Sequence, residues 1–314
     1  MKRPGANAVS LLLSLGLILG AVTLAVAAPE PLSNRRPLLP TRHSQIATRT
    51  VPHAVSFRTS KDRGLLVEVW VNNTGPYTFA IDTGAGITLI GGQVASSAAT
   101  QRLNAQVDLG GLSGVSKSKG RMTVLGTLAI GDQGNTVRAN QRAIVTDNLP
   151  AEIDGVLDPT DAYSPFGYSI DLPGHEIAAF DPRSNPLSTR DLPEGGAVVP
   201  WITGSSRRPF VRLGDGRLAL LDTGSGFGLA ISHGQAMDQR RGGVRDLGGG
   251  EVTSRRVDPT TISIGSLTLR GVPTDLLAGV EKDAPILLGR DALYPFRLTF
   301  DPVQRLIEIA PASP

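Results

Sequence analysis

One arrangement of residues occurs twice in this chain, and it limits the architectures open to it. In the first copy Leu65-Leu66-Val67-Glu68-Val69-Trp70-Val71 alternates as a strand does, and Asn72-Asn73-Thr74-Gly75-Pro76 supplies turn chemistry. Tyr77-Thr78-Phe79-Ala80-Ile81 is then a second strand that runs into Asp82-Thr83-Gly84. In the second copy Pro209-Phe210-Val211-Arg212-Leu213, the turn Gly214-Asp215-Gly216 and Leu218-Ala219-Leu220-Leu221 lead into Asp222-Thr223-Gly224. Each triplet is followed by an apolar strand, Ile87-Thr88-Leu89-Ile90 or Leu229-Ala230-Ile231, and then by a glycine-rich excursion, Gly110 to Gly114 or Gly242 to Gly250. Each copy ends alike: Gly155-Val156-Leu157 precedes Pro165-Phe166 and Tyr168-Ser169-Ile170-Asp171, while Leu287-Leu288-Gly289 precedes Pro295-Phe296 and Leu298-Thr299-Phe300-Asp301. The shared order of parts reads as a gene duplication. It predicts an all-β protein of two similar lobes, 51–181 and 201–314, joined by the proline-rich connector 182–200.

Size and composition agree with this plan. The 314 residues exceed what a single core usually organises, roughly 250 to 300, and 37 Gly with 23 Pro favour many turns over long helices. The absence of cysteine excludes disulfides, thiol catalysis, Fe–S clusters and Cys-ligated zinc. His43, His53, His175 and His233 are scattered, so no metal site is expected. Residues 51–314 hold 25 basic and 27 acidic groups, which leaves no electrostatic footprint for nucleic acid.

The N-terminus predicts export. Met1-Lys2-Arg3 precedes an apolar run from Leu11 to Val26 and the small-x-small signature Ala25-Val26-Ala27, the pattern of a cleaved signal peptide over 1–27. An uncleaved membrane anchor is the alternative, since about 20 apolar residues span a bilayer. Residues 28–50, with four prolines and four arginines, read as an extended linker. The expected location is periplasmic or secreted, with no stable membrane association once the signal is removed.

Each Asp-Thr-Gly ends an apolar strand, so the chain itself drives a carboxylate toward a buried position where a lone charge is costly. A single triplet could merely start a tight turn. Two, at the same place in two lobes, point to paired carboxyls that share a proton and perform general acid–base hydrolysis. Threonine supplies a hydroxyl for bonding across the lobes, and glycine lets its backbone N–H reach the carboxylate. Such chemistry uses no cofactor. Ser116-Lys117-Ser118-Lys119 fits Ser-x-x-Lys, but no Lys-Thr-Gly follows, and Gly224-Ser225-Gly226-Phe227-Gly228 lacks the helix a dinucleotide turn opens.

At this point the chain resembles the aspartic peptidases, in their retropepsin-like branch, over both lobes. Asp82-Thr83-Gly84-Ala85 is similar to the retroviral loop, and Asp222-Thr223-Gly224-Ser225 to that of pepsin-like lobes. The resemblance implies an aspartic endopeptidase with a cleft between the lobes and a peptide or protein substrate. Asp82 and Asp222 would be its catalytic dyad, supported by Thr83, Gly84, Thr223, Gly224 and Ser225, the serine hydroxyl meeting the outer oxygen of Asp222. Ile286-Leu287-Leu288-Gly289-Arg290-Asp291 resembles the segment that threads behind the active loop. Gly111, Ser113, Gly248 and Gly249 would lie in substrate-covering flaps, and a monomer is expected because both halves of the site share one chain.

Three features depart from the pattern. Neither candidate flap contains tyrosine, Gly86 stands where retroviral loops carry Asp, and Asp158 stands where Gly is expected. Asp158 admits three readings: a third carboxylate aimed at the cleft, the start of an Asp-Pro turn facing solvent, or one inserted residue that shifts the register here. The first and third departures motivate the rival function, an inactive peptide- or protein-binding module that keeps the fold.

Overall fold

The computed structural model describes residues 50–114, 118–203, 207–232, 244–246 and 250–312. The expected export segment 1–27, nearly all of the linker 28–50, and Gly248 and Gly249 lie outside the described residues. Among those residues the protein is mostly β, with strands in three sheets and three short helices.

The first sheet has eight strands in the order Arg58–Ser60, Gly64–Val71, Thr74–Ile81, Gly155–Leu157, Leu89–Gly91, Thr136–Thr146, Ser118–Ile130 and Gln101–Leu109. Gly64–Val71 also pairs with Ser118–Ile130, which curls the sheet back on itself. Its opening hairpin follows from local chemistry. Asn72 and Asn73 take φ of 49° and 63°, the left-handed conformation a two-residue hairpin turn needs and that asparagine tolerates best after glycine. The apolar alternation of the hairpin then places Phe79 and Ile81 in the main core and Ala80 in a smaller cluster on the other face.

The second sheet has seven strands: Phe210–Arg212, Leu218–Asp222, Ile286–Gly289, Leu229–Ser232, Leu267–Ala278, Glu251–Ile264 and Val244–Arg245. In both sheets the strand that ends at an Asp-Thr-Gly pairs in parallel with a later three- or four-residue strand. Asp82 N–H donates to Leu157 C=O at 3.0 Å, and Asp222 lies opposite Gly289. A parallel partner on one side and an antiparallel hairpin partner on the other bury both strand ends.

The third sheet joins the two halves of the chain. Its order is Val55–Ser56, Glu176–Phe180, Gly167–Asp171, Phe296–Asp301, Leu306–Pro311 and Ala197–Pro200. Tyr168 sits opposite Phe300 in the central pairing, and the two rings stack at 4.6 Å between centroids. Tyr163 stacks on Tyr168 at 6.0 Å, and Trp201 meets Phe300 edge-on at 5.9 Å. Large rings at these separations gain about 0.5–1.5 kcal/mol per pair beyond their burial. This aromatic column belongs to a core cluster that continues into both flanking sheets and forms the floor that holds them together.

Candidate active site

Both Asp-Thr-Gly loops leave their strands at the boundary between the two flanking sheets, where backbone and hydroxyl groups bond across it. Thr83 Oγ1 donates to Leu221 C=O at 2.7 Å and accepts from Thr223 N–H at 3.0 Å. Reciprocally, Thr223 Oγ1 donates to Ile81 C=O at 3.3 Å and accepts from Thr83 N–H at 3.1 Å. Both threonines are completely buried, so these four bonds are made without competition from water.

The mesh fixes two carboxyl groups. Asp82 and Asp222 are fully buried, and Asp82 Oδ1 accepts from Gly84 N–H at 2.7 Å. Asp222 Oδ1 accepts from Ser225 N–H at 3.0 Å. The Oδ2 atom of each is buried and engaged by no backbone or hydroxyl donor among the described residues. Gly84 packs so tightly on the opposite carboxyl that a Cβ there would fall 2.9 Å from Asp222 Cγ, which accounts for glycine at this position. The serine hydroxyl expected on the outer oxygen of Asp222 accepts from Phe227 N–H at 3.3 Å instead, and Ser225 reaches Asp222 through its backbone.

The two carboxyls are electrostatically unequal. Burial pushes Asp82 well above the ordinary carboxylate range, and the adjacent Asp222 pushes it further. Burial also raises Asp222, but hydrogen bonding to Asp82, the Ser225 N–H, the Arg290 charge and the Gly224 N–H hold it lower. The pair thus shares a proton, with burial and the neighbouring carboxylate favouring it on Asp82 and the Arg290 charge favouring the ionised form at Asp222. A neutral carboxyl beside a carboxylate can give one proton and take another, which is what bond hydrolysis by an activated water requires.

Arg290 is mostly buried behind the Asp222 loop, where its Nη1 donates to Thr223 C=O at 2.7 Å. Gly86, which replaces the acidic residue of related loops, lies instead against the Arg208 side chain, 3.5 Å from Cγ to the position a Cβ would take. Arg208 is a site residue that sequence reasoning missed. Burial works against its charge, and Asp222 and Asp82 favour it. Its guanidinium lies over the Phe210 ring at 5.6 Å. Nothing in the run Arg207-Arg208-Pro209 separates it from a solvated basic pair.

Of the predicted flap residues, Gly111 and Ser113 are described. Both sit in the turn after Gln101–Leu109, and that turn is docked on the other flanking sheet. Ser113 N–H donates to Asp246 Oδ2 at 2.8 Å, and Glu281 N–H donates to Leu112 C=O at 2.8 Å. Leu112 is buried in a cluster with Leu220 and Phe227, the residues that flank the Asp222 loop. A Cβ on Gly111 would fall 2.2 Å from Asp246 Cγ, so any larger residue there must displace the Asp246 carboxyl. The loop from the first sheet thus bridges to the second beside the carboxyl pair.

Asp158 does not face solvent. It is 1% exposed, and its Oδ1 accepts from Thr160 N–H at 3.0 Å to cap the short helix Pro159–Ala162. The Asp-Pro turn is present, but it is turned inward behind the Asp82 loop. Among the described residues no group of three or more His, Asp or Glu side chains is arranged to hold a metal ion.

No curated protein matches the chain. Residues 67–158 match the family model described as aspartyl protease. Over that stretch, which contains the Asp82 loop and ends on Asp158, the chain carries an aspartyl protease domain.

Proposed function

We propose that this protein is an aspartic endopeptidase whose dyad is Asp82 and Asp222, one from each of two duplicated lobes that act as a monomer. The observation that carries the reading is the reciprocal threonine bonding, which brings two buried, inequivalent carboxyls from distant parts of the chain to one point. The matching order of strands in the two flanking sheets supports the duplication. A water held between the carboxyls would lose its proton to Asp222 as its oxygen attacks the scissile carbonyl, while Asp82 gives its proton to the carbonyl oxygen. Collapse of the resulting diol then delivers a proton to the leaving nitrogen, and the dyad regains its starting charge. Arg290 favours the ionised form of Asp222, and burial keeps Asp82 protonated.

The test is cleavage of a mixed peptide library by wild type, Asp82→Asn and Asp222→Asn, with circular dichroism to check folding. Loss of cleavage by at least about a thousandfold in both folded variants is expected, since half a dyad cannot both accept and donate. Near wild-type turnover in either would refute the assignment. A second reading, a peptide-binding module without turnover, draws on the loop docked across the two sheets through Leu112. Peptide binding by the wild type with no cleavage from pH 3 to 8 would favour it.

A further inference from the structure

The strand Gly155–Leu157 passes behind the Asp82 loop as Ile286–Gly289 passes behind the Asp222 loop. In the second case the strand ends on a glycine that space demands: a Cβ on Gly289 would fall 2.5 Å from Phe227 O and 2.8 Å from Ser225 O. In the first case the same step is a carboxylate, Asp158. Its backbone N–H donates to the buried Thr88 Oγ1 at 3.2 Å, a hydroxyl for which Gly228 is the counterpart in the second loop.

Helix capping does not explain why this residue is an acid. The cap uses Oδ1 alone, and serine, threonine or asparagine would serve as well. Asp158 Oδ2 is buried with no hydrogen-bond partner among the described residues, an arrangement that costs stability for as long as the group can ionise. The surroundings do not neutralise it. Asp161, on the same short helix, adds negative charge, and Asp82 lies on the neighbouring strand. Tyr168, on the strand beneath, is neutral and bonds Thr160 Oγ1 at 2.9 Å. The positive group is Arg207, which is exposed and lies nearer to Asp161, at 3.5 Å. Gln141 Nε2 ties Thr88 Oγ1, at 3.0 Å, to Asp161 Oδ2, at 3.1 Å, so the network runs from behind the Asp82 loop to the surface.

We propose that Asp158 is a positioning residue for Asp82: a third buried carboxyl, set directly behind the loop, whose charge holds the proton on Asp82. The proposal rests on the reading of Asp82 and Asp222 as the dyad. Burial, with the Asp161 charge adding to it, pushes Asp158 up to about 7, while the Thr160 and Asp161 N–H groups and Arg207 oppose the rise. Below that pH it is neutral, and the site behaves as an isolated pair. Above it, the negative charge of Asp158 makes loss of the Asp82 proton harder, as its direction of influence on Asp82 requires. The acid side of the activity profile, set by Asp222, is left alone, and the alkaline side is extended.

The experiment compares pH profiles of kcat/KM for wild type, Asp158→Asn and Asp158→Ser, both of which keep a capping oxygen. The expected result is an alkaline limb displaced to lower pH by about half a unit or more, read as a roughly threefold fall in the ratio of activity at pH 8 to that at pH 6. The acid limb stays in place. A residue that served only as a cap would leave both limbs where they are, and that result overturns the proposal. Carbon-13 NMR titration of the Asp82 carboxyl supplies a reading without turnover. A lower Asp82 titration point in the variants supports the coupling even if Asn variants at Asp82 and Asp222 were to disprove the dyad, and an unchanged point ends it.

Discussion

Replacing Thr83 with valine keeps the shape of a buried side chain and deletes one hydroxyl. That hydroxyl is bonded twice across the boundary, to Leu221 C=O at 2.7 Å and from Thr223 N–H at 3.0 Å. Neither partner can turn to water, because Leu221 and Thr223 are both completely buried. An orphaned buried backbone group costs about 1–3 kcal/mol, so two of them should cost about 2–6 kcal/mol, with about 4 kcal/mol a central figure. Thr83→Ser is the control. It keeps the hydroxyl and loses one methyl group, for about 1 kcal/mol. In urea, where the dependence for a protein of this size is about 3 kcal/mol per molar, valine should lower the midpoint by about 1.3 M and serine by about a quarter of that. The double variant Thr83→Val, Thr223→Val should be less damaging than the sum of the two single changes by more than about 0.5 kcal/mol, because the two hydroxyls share one mesh. Equal midpoints for the valine and serine variants, both within about 0.5 kcal/mol of wild type, would refute the claim that the mesh is held by these bonds rather than by packing.

Asp158 makes stability depend on pH in an unusual sense. Its folded pKa, about 7, lies above the ordinary aspartate value of 3.8, so the native state holds an extra proton between them, and stability falls as pH rises through that window. The penalty reaches roughly 4 kcal/mol once the pH has passed 7. Urea titrations at pH 4 and pH 8 should therefore show Asp158→Asn gaining on wild type as the pH rises; parallel behaviour would mean that Asp158 is not held neutral by the fold. Leu112→Ala should loosen the docked loop before anything else. Hydrogen exchange of the Glu281 amide, which is bonded to Leu112 C=O, should quicken by about tenfold or more while the global midpoint changes less, in line with about 2–3 kcal/mol of lost burial. For Arg290→Met, removal of the charge that favours ionised Asp222 should move the acid limb of activity upward in pH, and an unmoved limb would separate Arg290 from the electrostatics of the site.

The parts of the fold governed by local alternation were readable before any coordinates. The hairpin around Asn72-Asn73 and the apolar strands ending at Asp82 and Asp222 lie where period-two patterning and turn residues place them. What local patterning cannot encode is the destination of a side chain. Leu112 stands among glycines in a stretch that reads as a loop, and only the tertiary fold carries it into a cluster built by Leu220 and Phe227. Asp246 and Arg208 owe their positions to residues more than a hundred places away, Ser113 and Gly86 respectively. Asp158 is the instructive case. Asp before Pro starts a turn whether the turn faces water or the interior, so the motif was legible and its burial was not. The pairing of Gly167–Asp171 with Phe296–Asp301 was equally hidden, since each strand has its own hairpin partner nearby in sequence.

That last pairing sets an order of events during synthesis. Tyr168 finds its ladder partner Phe300 132 positions later, as their numbers give. At the usual pace of translation, a few to about twenty residues per second, the nascent first half waits on the order of ten seconds with one edge of Gly167–Asp171 open. The aromatic ring that will cover Tyr168 does not yet exist. The Asp222 loop is also made before its sheet can close, because Ile286–Gly289 comes later. A chain stalled anywhere short of residue 300 therefore holds the Asp82 loop without the floor beneath it, and the carboxyl pair is assembled only as the last strands arrive.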